Sequence, residues 1–189
     1  MSSSLYGASA EYALHSLLLL CGSPEPLSVR DLARFQKLPE RFLSKLFHRL
    51  KKAGLVVGSE GLRGGYRLAH PPDQISVHAV LVAVDPHRGL FECAEIRRKC
   101  VLYGEEPPRW STRGMCRIHA FMHEAEEQLS RFLASKTLAD LNTEFACKAP
   151  SRFLNATDDW FRQQRCGRAH RTPSHPSDVS SPHLETPHD

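Results

Sequence analysis

The sequence lacks the features of a membrane or secreted protein. No apolar run reaches the roughly 18 residues that cross a bilayer, and the longest apolar segment is Leu17 to Cys21. The N-terminal stretch MSSSLYGASAEYALHSLLLLCG has no positively charged start of the kind found in secretory signals. We therefore expect a cytoplasmic protein. In a reducing cytoplasm its six cysteines are not expected to form structural disulfides, and those that cluster are expected to be metal ligands or redox centres.

The signatures of common enzymes are also missing. The chain has no Gly-rich phosphate loop, no Cys-x-x-Cys pair and no clear acid–base constellation. We predict that it is not an enzyme, and a redox or metal enzyme built on the cysteines is a distant alternative. Its 189 residues, 41% hydrophobic and 24% charged, are enough for one globular domain with extensions.

What the sequence does contain is a basic, helix-rich stretch over residues 28–68. Ser28 is placed to cap a short helix, and Asp31 stands at the capping-box position three residues later. After a short turn, Pro39 opens a second helix, which Gly54 ends as a glycine C-cap. Apolar residues recur along one face of this second helix at helical spacing, and they are Phe42, Leu43, Leu46, Phe47 and Leu50.

The opposite face of the second helix is polar and basic. It is followed by two short apolar strands, 55–57 and 66–68, which predict a small β-hairpin or wing. Residues 28–68 contain ten Lys or Arg against three Asp or Glu, a net charge of +7, whereas the whole chain carries +4. This concentration of positive charge on a capped helix and a hairpin favours duplex DNA as the partner over an ordinary solvated surface. The outward residues are Arg41, Ser44, Lys45, His48 and Lys51.

Helical patterns flank this stretch on both sides. We predict a first helix over 5–21, a short helix after Ser76, and a last short helix, TLADL, capped by Thr137. A longer helix over about 115–136 carries a coiled-coil-like apolar seam, which favours a dimer contact over packing on the chain's own core. The seam residues are Ile118, Met122, Ala125, Leu129 and Phe132. The predicted fold class is mainly α with a small β-hairpin wing.

A loop rich in Pro and Gly, residues 85–115, carries a cysteine cluster. Six residues separate Cys93 from Cys100, and fifteen more precede Cys116, with His119 three positions further on. Such a set could hold zinc or an iron–sulfur cluster, and the spacing does not choose between them. Neighbouring cationic residues would help to keep the thiols deprotonated, and they are Arg97, Arg98, Lys99, Arg113 and Arg117. The alternatives are unrelated free cysteines or a zinc-stabilised structural module.

Several motifs together resemble those of the Rrf-two (BadM-type) family of winged-helix transcriptional regulators, which includes IscR/NsrR-like proteins. The resemblance covers residues 5–142. Its motifs are EYAL at 11–14, LPERFLSKLFHRLKKAGLV at 38–56, RGGYRLA at 63–69, AVD at 83–85 and TLADL at 137–141.

The resemblance implies a homodimeric transcription factor, usually a repressor, bound to a palindromic operator. Its recognition helix would enter the major groove, where Arg41, Ser44 and Lys45 would read base edges. Its wing would touch the minor groove. Ser44 departs from the glutamate of IscR, so the operator sequence cannot be carried over. The predicted DNA-binding set is Ser28, Arg41, Ser44, Lys45, His48, Lys51, Arg63, Gly64 and Gly65.

The resemblance also implies an iron–sulfur cluster, for which we favour 2Fe–2S over 4Fe–4S. Its ligands would be Cys93, Cys100 and Cys116, with His119 as the fourth. Glu11 and His15 are alternative fourth ligands because they share a helical face at the positions that supply ligands in other members. Operator affinity would then respond to iron, nitric oxide, oxygen or redox state. The alternative is a cluster-free member of the family controlled by a partner protein or a small molecule.

The predicted organisation follows from these assignments. It comprises a winged helix-turn-helix DNA-binding domain over 1–84, a cluster-binding loop over 85–116, a dimerisation helix and terminal helix over 117–142, and an extension over 143–189 that is disordered from about residue 167.

Overall fold

A computed structural model describes residues 5–61, 64–86, 91–103 and 106–169 of the chain. Within these ranges the fold is mainly helical with one antiparallel hairpin, which confirms the predicted fold class. Short 3-10 turns lie at Pro72–Gln74 and Ile96–Arg98. The elements are α1 (Ala8–Gly22), α2 (Val29–Gln36), α3 (Glu40–Lys52), β1 (Val56–Ser59), β2 (Gly65–Leu68), α4 (Val77–Val84), α5 (Arg109–Thr112), α6 (Arg117–Ala134), α7 (Leu138–Lys148) and α8 (Ser151–Ala169).

Local interactions at Ser28 and Lys37 determine where helix α2 begins and ends. The backbone N–H of Asp31 donates to the Ser28 hydroxyl at 3.1 Å, and this hydroxyl donates in turn to Asp31 Oδ2 at 2.8 Å. The helix ends at Lys37, which adopts the left-handed conformation with φ 55° and ψ 41°. This residue turns the chain from α2 into α3 and so sets the helix-turn-helix.

Helix α3 follows directly, with Pro39 at its N-cap rather than at its first helical position. At its other end, Gly54 has a φ of 73°, and its N–H donates to the carbonyl of Lys51 at 3.0 Å. The N–H of Leu55 donates to the carbonyl of Leu50, also at 3.0 Å. These two bonds form a Schellman motif, in which glycine tolerates the left-handed backbone.

The core lies where α1, α2, α3 and α4 meet. Each helix contributes an apolar stripe, as the spacing of its apolar residues predicts. Burying each large side chain contributes about 1.5–3 kcal/mol. Fully buried members include Leu17, Leu32, Leu43, Phe47, Leu50 and Val80.

The hairpin is joined to the body by a third segment. Strands β1 and β2 pair in a register that places Val56 opposite Leu68 and Ser59 opposite Gly65. Leu27, just before α2, exchanges two backbone hydrogen bonds with Tyr66, at 2.8 and 2.9 Å. The wing therefore has a fixed position relative to α2 and α3.

Helix α6 differs from the others because none of its residues is buried. Three of its large apolar side chains face outward, with Ile118 63%, Phe121 69% and Phe132 59% exposed. Its C-terminal end is tied to the body through Lys136, whose carbonyl accepts from the Val77 N–H at 2.8 Å. The apolar face of α6 is therefore exposed, while the C-terminal end of the helix is held against the start of α4.

The last two helices extend the body beyond what the sequence pattern predicts. Helix α7 begins with the predicted Thr137 cap, which forms a full capping box with Asp140, but it continues to Lys148. Helix α8 then packs on α2. The Phe35 ring lies 5.2 Å from the Trp160 ring and 5.0 Å from that of Phe161, measured between ring centroids. Only 4% of Phe161 is exposed, so α8 belongs to the core.

The predicted disorder from about residue 167 falls largely on residues 170–189, which lie outside the described residues; α8 itself runs to Ala169. Among the helices described, none has the length and apolar character needed to cross a membrane.

Candidate nucleic-acid interface and cysteine loop

The outward face of α3 carries the predicted DNA-contacting side chains. Its inward face is fixed in the core by four buried residues, so the polar positions between them must face away from the body. All five predicted positions are exposed, namely Arg41, Ser44, Lys45, His48 and Lys51. The helix therefore presents a continuous polar and basic surface of the width that a major groove admits.

The cations on this face are available to an external anion. Arg41, Lys45 and Lys51 form no salt bridge with any residue in the described part of the chain. Arg49, by contrast, donates to the carbonyl of Val84 at 2.5 Å, which ties α3 to α4. The outward cations therefore remain unpaired by carboxylates of the described residues, whereas Arg49 anchors α3 to α4.

Steric contacts within the protein require glycine at positions 64 and 65 of the wing. A β-carbon at Gly65 would come 2.6 Å from the backbone carbonyl of Leu27, and one at Gly64 would collide with the carbonyl oxygen of Ser59. Arg63 lies outside the described residues. Ser28 adjoins this contact, and its hydroxyl is engaged with Asp31. Gly65 therefore allows the wing to close on the body, and Gly64 allows the hairpin itself to close.

Two of the three loop cysteines lie side by side. Cys116 is the N-cap of α6, and the backbone N–H groups of His119 and Ile118 donate to its sulfur and lower the pKa of the thiol. The positive charge of Arg97 and the adjacent thiol of Cys93 lower this pKa further. The helix N-terminus thus favours the thiolate at Cys116, which is the form that binds metals.

The other predicted ligands are not gathered around this pair. Within the described residues, no group of three or more His, Cys, Asp or Glu is arranged to hold a metal ion. Cys100 is half-buried in the same loop. The His119 ring lies 6.2 Å from the ring of Phe91, measured between centroids, and Glu11 and His15 are exposed on α1.

Sequence reasoning missed Glu95, which organises the loop around the cysteine pair. Its carboxylate accepts hydrogen bonds from Arg97 at 2.9 and 3.2 Å, which lower its pKa, and a longer one from the Cys93 thiol at 3.7 Å. Arg97 also donates to the carbonyl of Gly114 at 2.7 Å and so bridges the two halves of the loop. The alternation of Glu95 and Arg97 between two cysteines was the available signal.

A capped helix-turn-helix with an exposed basic second helix, followed by a hairpin fixed against it, defines a winged helix-turn-helix protein of the DNA-binding class. The family model described as "Rrf2: Iron-dependent Transcriptional regulator" matches residues 6–144. The chain belongs to the Rrf2 family. It is a transcriptional regulator and not an enzyme, as the sequence predicts.

Curated relatives agree with this assignment. The HTH-type transcriptional regulator NsrR of Geobacillus kaustophilus is 35% identical over 134 residues, which are 69% of this chain and 84% of the relative. The HTH-type transcriptional regulator IscR of Aliivibrio salmonicida is 32% identical over 132 residues, or 69% of this chain and 72% of the relative.

Solved structures share the fold. CymR, described as the global cysteine regulator of B. subtilis, matches 73% of this chain and 95% of its own with a TM-score of 0.53 at 22% identity. The T. potens IscR structure matches 76% of this chain and 90% of its own with a TM-score of 0.56, also at 22% identity.

Proposed function

We propose that the protein is a homodimeric, cytoplasmic repressor that binds a palindromic operator and whose affinity for DNA depends on an iron–sulfur cluster in its cysteine loop. One observation carries the sensing part of the proposal. The thiols of Cys93 and Cys116 are adjacent, and Cys116 is held at the start of α6 in an environment that favours the thiolate.

DNA binding rests on α3 and the wing. Helix α3 enters the major groove, where Arg41 and Lys45 reach base edges or phosphates and Ser44 contacts a neighbouring base. The hairpin lies along the adjacent backbone at an angle fixed by the pairing of Leu27 with Tyr66. A second copy of the chain supplies the second half-site.

The second copy binds through α6. The exposed apolar side chains of Ile118, Phe121 and Phe132 lie on one side of this helix, and burying them against an equivalent helix removes them from water. Two antiparallel or crossed α6 helices would then set the distance between the two α3 helices.

The donor set of the loop fits an iron–sulfur cluster. Soft thiolates are the ligands of such clusters, and Cys93, Cys100 and Cys116 would hold one, with His119, Glu11 or His15 as the fourth ligand. A bound cluster supplies redox chemistry and reactivity toward oxygen and nitric oxide. The chain's own part is to keep Cys116 deprotonated, through the backbone N–H groups of His119 and Ile118 and the charge of Arg97.

The loop and the DNA-binding helices are connected through α6. Arg97 fixes Gly114 two residues before Cys116, so a rearrangement of the loop moves the start of α6. The other end of α6 is tied to α4, and Arg49 ties α4 to α3. Ligation of the loop cysteines would therefore shift the population between two spacings of the α3 helices.

Anaerobic purification tests the sensing part. We expect a coloured protein with iron and acid-labile sulfide bound, and an altered affinity for duplex DNA selected by the wild-type chain from a random library when Cys93, Cys100 and Cys116 are all changed to Ser. The matched control changes the two exposed cysteines outside the loop, Cys147 and Cys166, to Ser and should leave both properties intact.

Different results would point elsewhere. Zinc without sulfide would indicate a structural metal module. A colourless, metal-free wild-type chain whose triple variant binds DNA unchanged would favour control by a partner protein or small molecule.

A further inference from the structure

We infer, on the basis of the proposed operator binding, that a hydrogen bond between Ser16 and Gln36 positions the helix-turn-helix for sequence recognition. Ser16 lies on α1 and is fully buried. Its hydroxyl donates to the carbonyl of Tyr12 at 2.7 Å and accepts from Gln36 Nε2 at 2.9 Å. Gln36 is the last residue of α2 and directly precedes the left-handed Lys37. The bond therefore fixes the end of α2 to α1 at the turn of the helix-turn-helix.

Helix α1 also contacts the start of α3, one helical turn away from Ser16. The ring of Tyr12 meets the ring of Phe42 edge-on, with 5.8 Å between the centroids and an angle of 85° between the planes. Phe42 lies in the first turn of α3, and only residues 37–39 separate α2 from α3. Residues four apart on a helix share a face, so Tyr12 and Ser16 together hold both ends of this short turn. Their contacts set the angle between α2 and α3.

A hydrogen bond fixes this angle more closely than apolar packing does. The core between α1, α2 and α3 is mainly apolar, and hydrophobic contacts have no directional preference. A hydrogen bond, by contrast, weakens steeply when its distance or angle departs from the preferred geometry. Its net contribution to stability is modest, because the same groups bond to water in the unfolded chain. Ser16 and Gln36 therefore contribute mainly orientation, as satisfied polar groups in a core do when they select one arrangement.

The angle between α2 and α3 determines which DNA contacts form at the same time. In helix-turn-helix proteins the first helix crosses the DNA backbone while the second lies in the major groove. Phosphate contacts fix the register of the protein, and base contacts read the sequence. Ser28 stands at the start of α2, and Arg41 and Lys45 are exposed on α3. A loosened turn would keep these groups but lower the fraction of chains in which both helices fit one operator.

Changing both partners to apolar residues, Ser16→Ala together with Gln36→Met, removes the bond without leaving an unpaired polar group. Fluorescence anisotropy measures the affinity of the full-length chain for two duplexes, one selected by the wild-type chain from a random library and one of scrambled sequence. We expect the affinity for the selected duplex to fall about fivefold, as the recognition-competent fraction falls to about a fifth. The affinity for the scrambled duplex should stay unchanged, because every cation is retained.

The single variants and a control outside the helix-turn-helix separate positioning from stability. Ser16→Ala and Gln36→Met break the same bond, so each should lose the same factor and the double variant should lose no more. Thr137→Ala also removes a hydroxyl that accepts a hydrogen bond, from the Asp140 N–H at 3.1 Å, but at the start of α7. It should unfold at a lower urea concentration than the double variant because a helix cap is lost, and yet keep the wild-type ratio of the two affinities.

Several results would overturn the positioning role and leave operator recognition intact. They are a wild-type ratio of affinities in the double variant, an equal loss of affinity for both duplexes, a similar change of ratio in Thr137→Ala, and losses in the two single variants that add in the double variant. A wild-type chain that selects no sequence from the library would instead overturn operator recognition and the positioning role together.

Discussion

At the scale of single residues, Lys37 holds the turn of the helix-turn-helix in a conformation that suits glycine better than lysine. Its φ of 55° and ψ of 41° lie in the left-handed region, where a β-carbon costs about 1–2 kcal/mol. The turn is closed by the N–H of Leu38, which donates to the carbonyl of Ala33 at 2.8 Å. The tight connection between α2 and α3 therefore carries backbone strain.

Lys37→Gly should relieve that strain. We expect its free energy of unfolding to rise by about 0.5–1 kcal/mol, because part of the relief is offset by the greater freedom of glycine in the unfolded chain. Urea denaturation of Lys37→Gly and Lys37→Ala provides the comparison. The alanine variant loses the same ammonium group but keeps the β-carbon, so it should gain nothing. Equal stability of the two variants would contradict the strain argument.

Cys116 and Cys21 should differ in their reaction with an alkylating agent. In the reduced, metal-free chain, backbone N–H groups lower the pKa of Cys116, whereas burial raises that of Cys21 to about 11. The reactive thiolate of Cys116 is thus populated at lower pH, and Cys21 stays protonated and unreactive at neutral pH.

Iodoacetamide labelling from pH 5 to 10, read by peptide mass mapping, measures this difference. The midpoint for Cys116 should lie below the usual thiol value of about 8.5. Arg97→Gln should raise that midpoint, since it removes the nearby positive charge, and should leave Cys21 unchanged. A Cys116 midpoint at or above the usual value would contradict the proposed thiolate stabilisation.

At the scale of secondary-structure elements, the wing depends on one close backbone approach. Gly65→Ala places a β-carbon 2.6 Å from the Leu27 carbonyl group, which cannot move without breaking its pairing with Tyr66. We expect a loss of about 1–3 kcal/mol in unfolding free energy, as for other overpacking changes. Gly58→Ala in the facing strand is the control, because its β-carbon would meet the Tyr66 ring at an ordinary 3.5 Å. Similar losses in both variants, by thermal or urea denaturation, would assign no special role to Gly65.

We expect single side chains on the outward face of α3 to contribute individually to the affinity for DNA. Lys45→Ala should weaken binding and reduce the slope of log affinity against log salt concentration by about one, as expected when one phosphate contact is lost. Lys148→Ala, an exposed lysine at the end of α7, should leave the slope unchanged. Fluorescence anisotropy over a salt series measures both. An unchanged slope in Lys45→Ala would remove this residue from the phosphate contacts.

The elements that sequence predicts best are those fixed by neighbours in the chain. The Ser28 and Ser76 caps and the Gly54 C-cap are found as predicted, because each depends on residues within one turn. The full length of α7 and the helix α8 escape prediction, because Trp160 and Phe161 gain their stabilisation from Phe35, far away in sequence. Tertiary packing of this kind leaves little local signal.

At the scale of the whole molecule, the exposed face of α6 is expected to hold two copies together. Phe132→Lys places a charge at the C-terminal end of the proposed contact and should convert a dimer into a monomer in analytical ultracentrifugation. Glu127→Lys adds the same side chain on the opposite side of the helix and should remain dimeric. A dimer that survives Phe132→Lys would place the subunit contact on another surface.

The sequence predicts the cysteine site only in part, because contacts between residues far apart in the loop also determine it. Spacing identified three cysteines of one loop and the helix that follows them. It could not show that Cys93 and Cys116 are adjacent while Cys100 stands apart, because Arg97 sets the fold of the loop by linking Glu95 to Gly114. The side chains of the loop, rather than its length, determine which thiols meet.

The late position of α8 in the chain has a consequence for folding during translation. On the ribosome, α2 emerges early, and the Phe35 ring has no cover until Trp160 and Phe161 have been synthesised. The helix-turn-helix is therefore synthesised long before α8 is available to cover the apolar surface of α2. A pause in translation between α7 and α8 would therefore prolong the time for which this apolar surface is exposed, and such exposure favours aggregation.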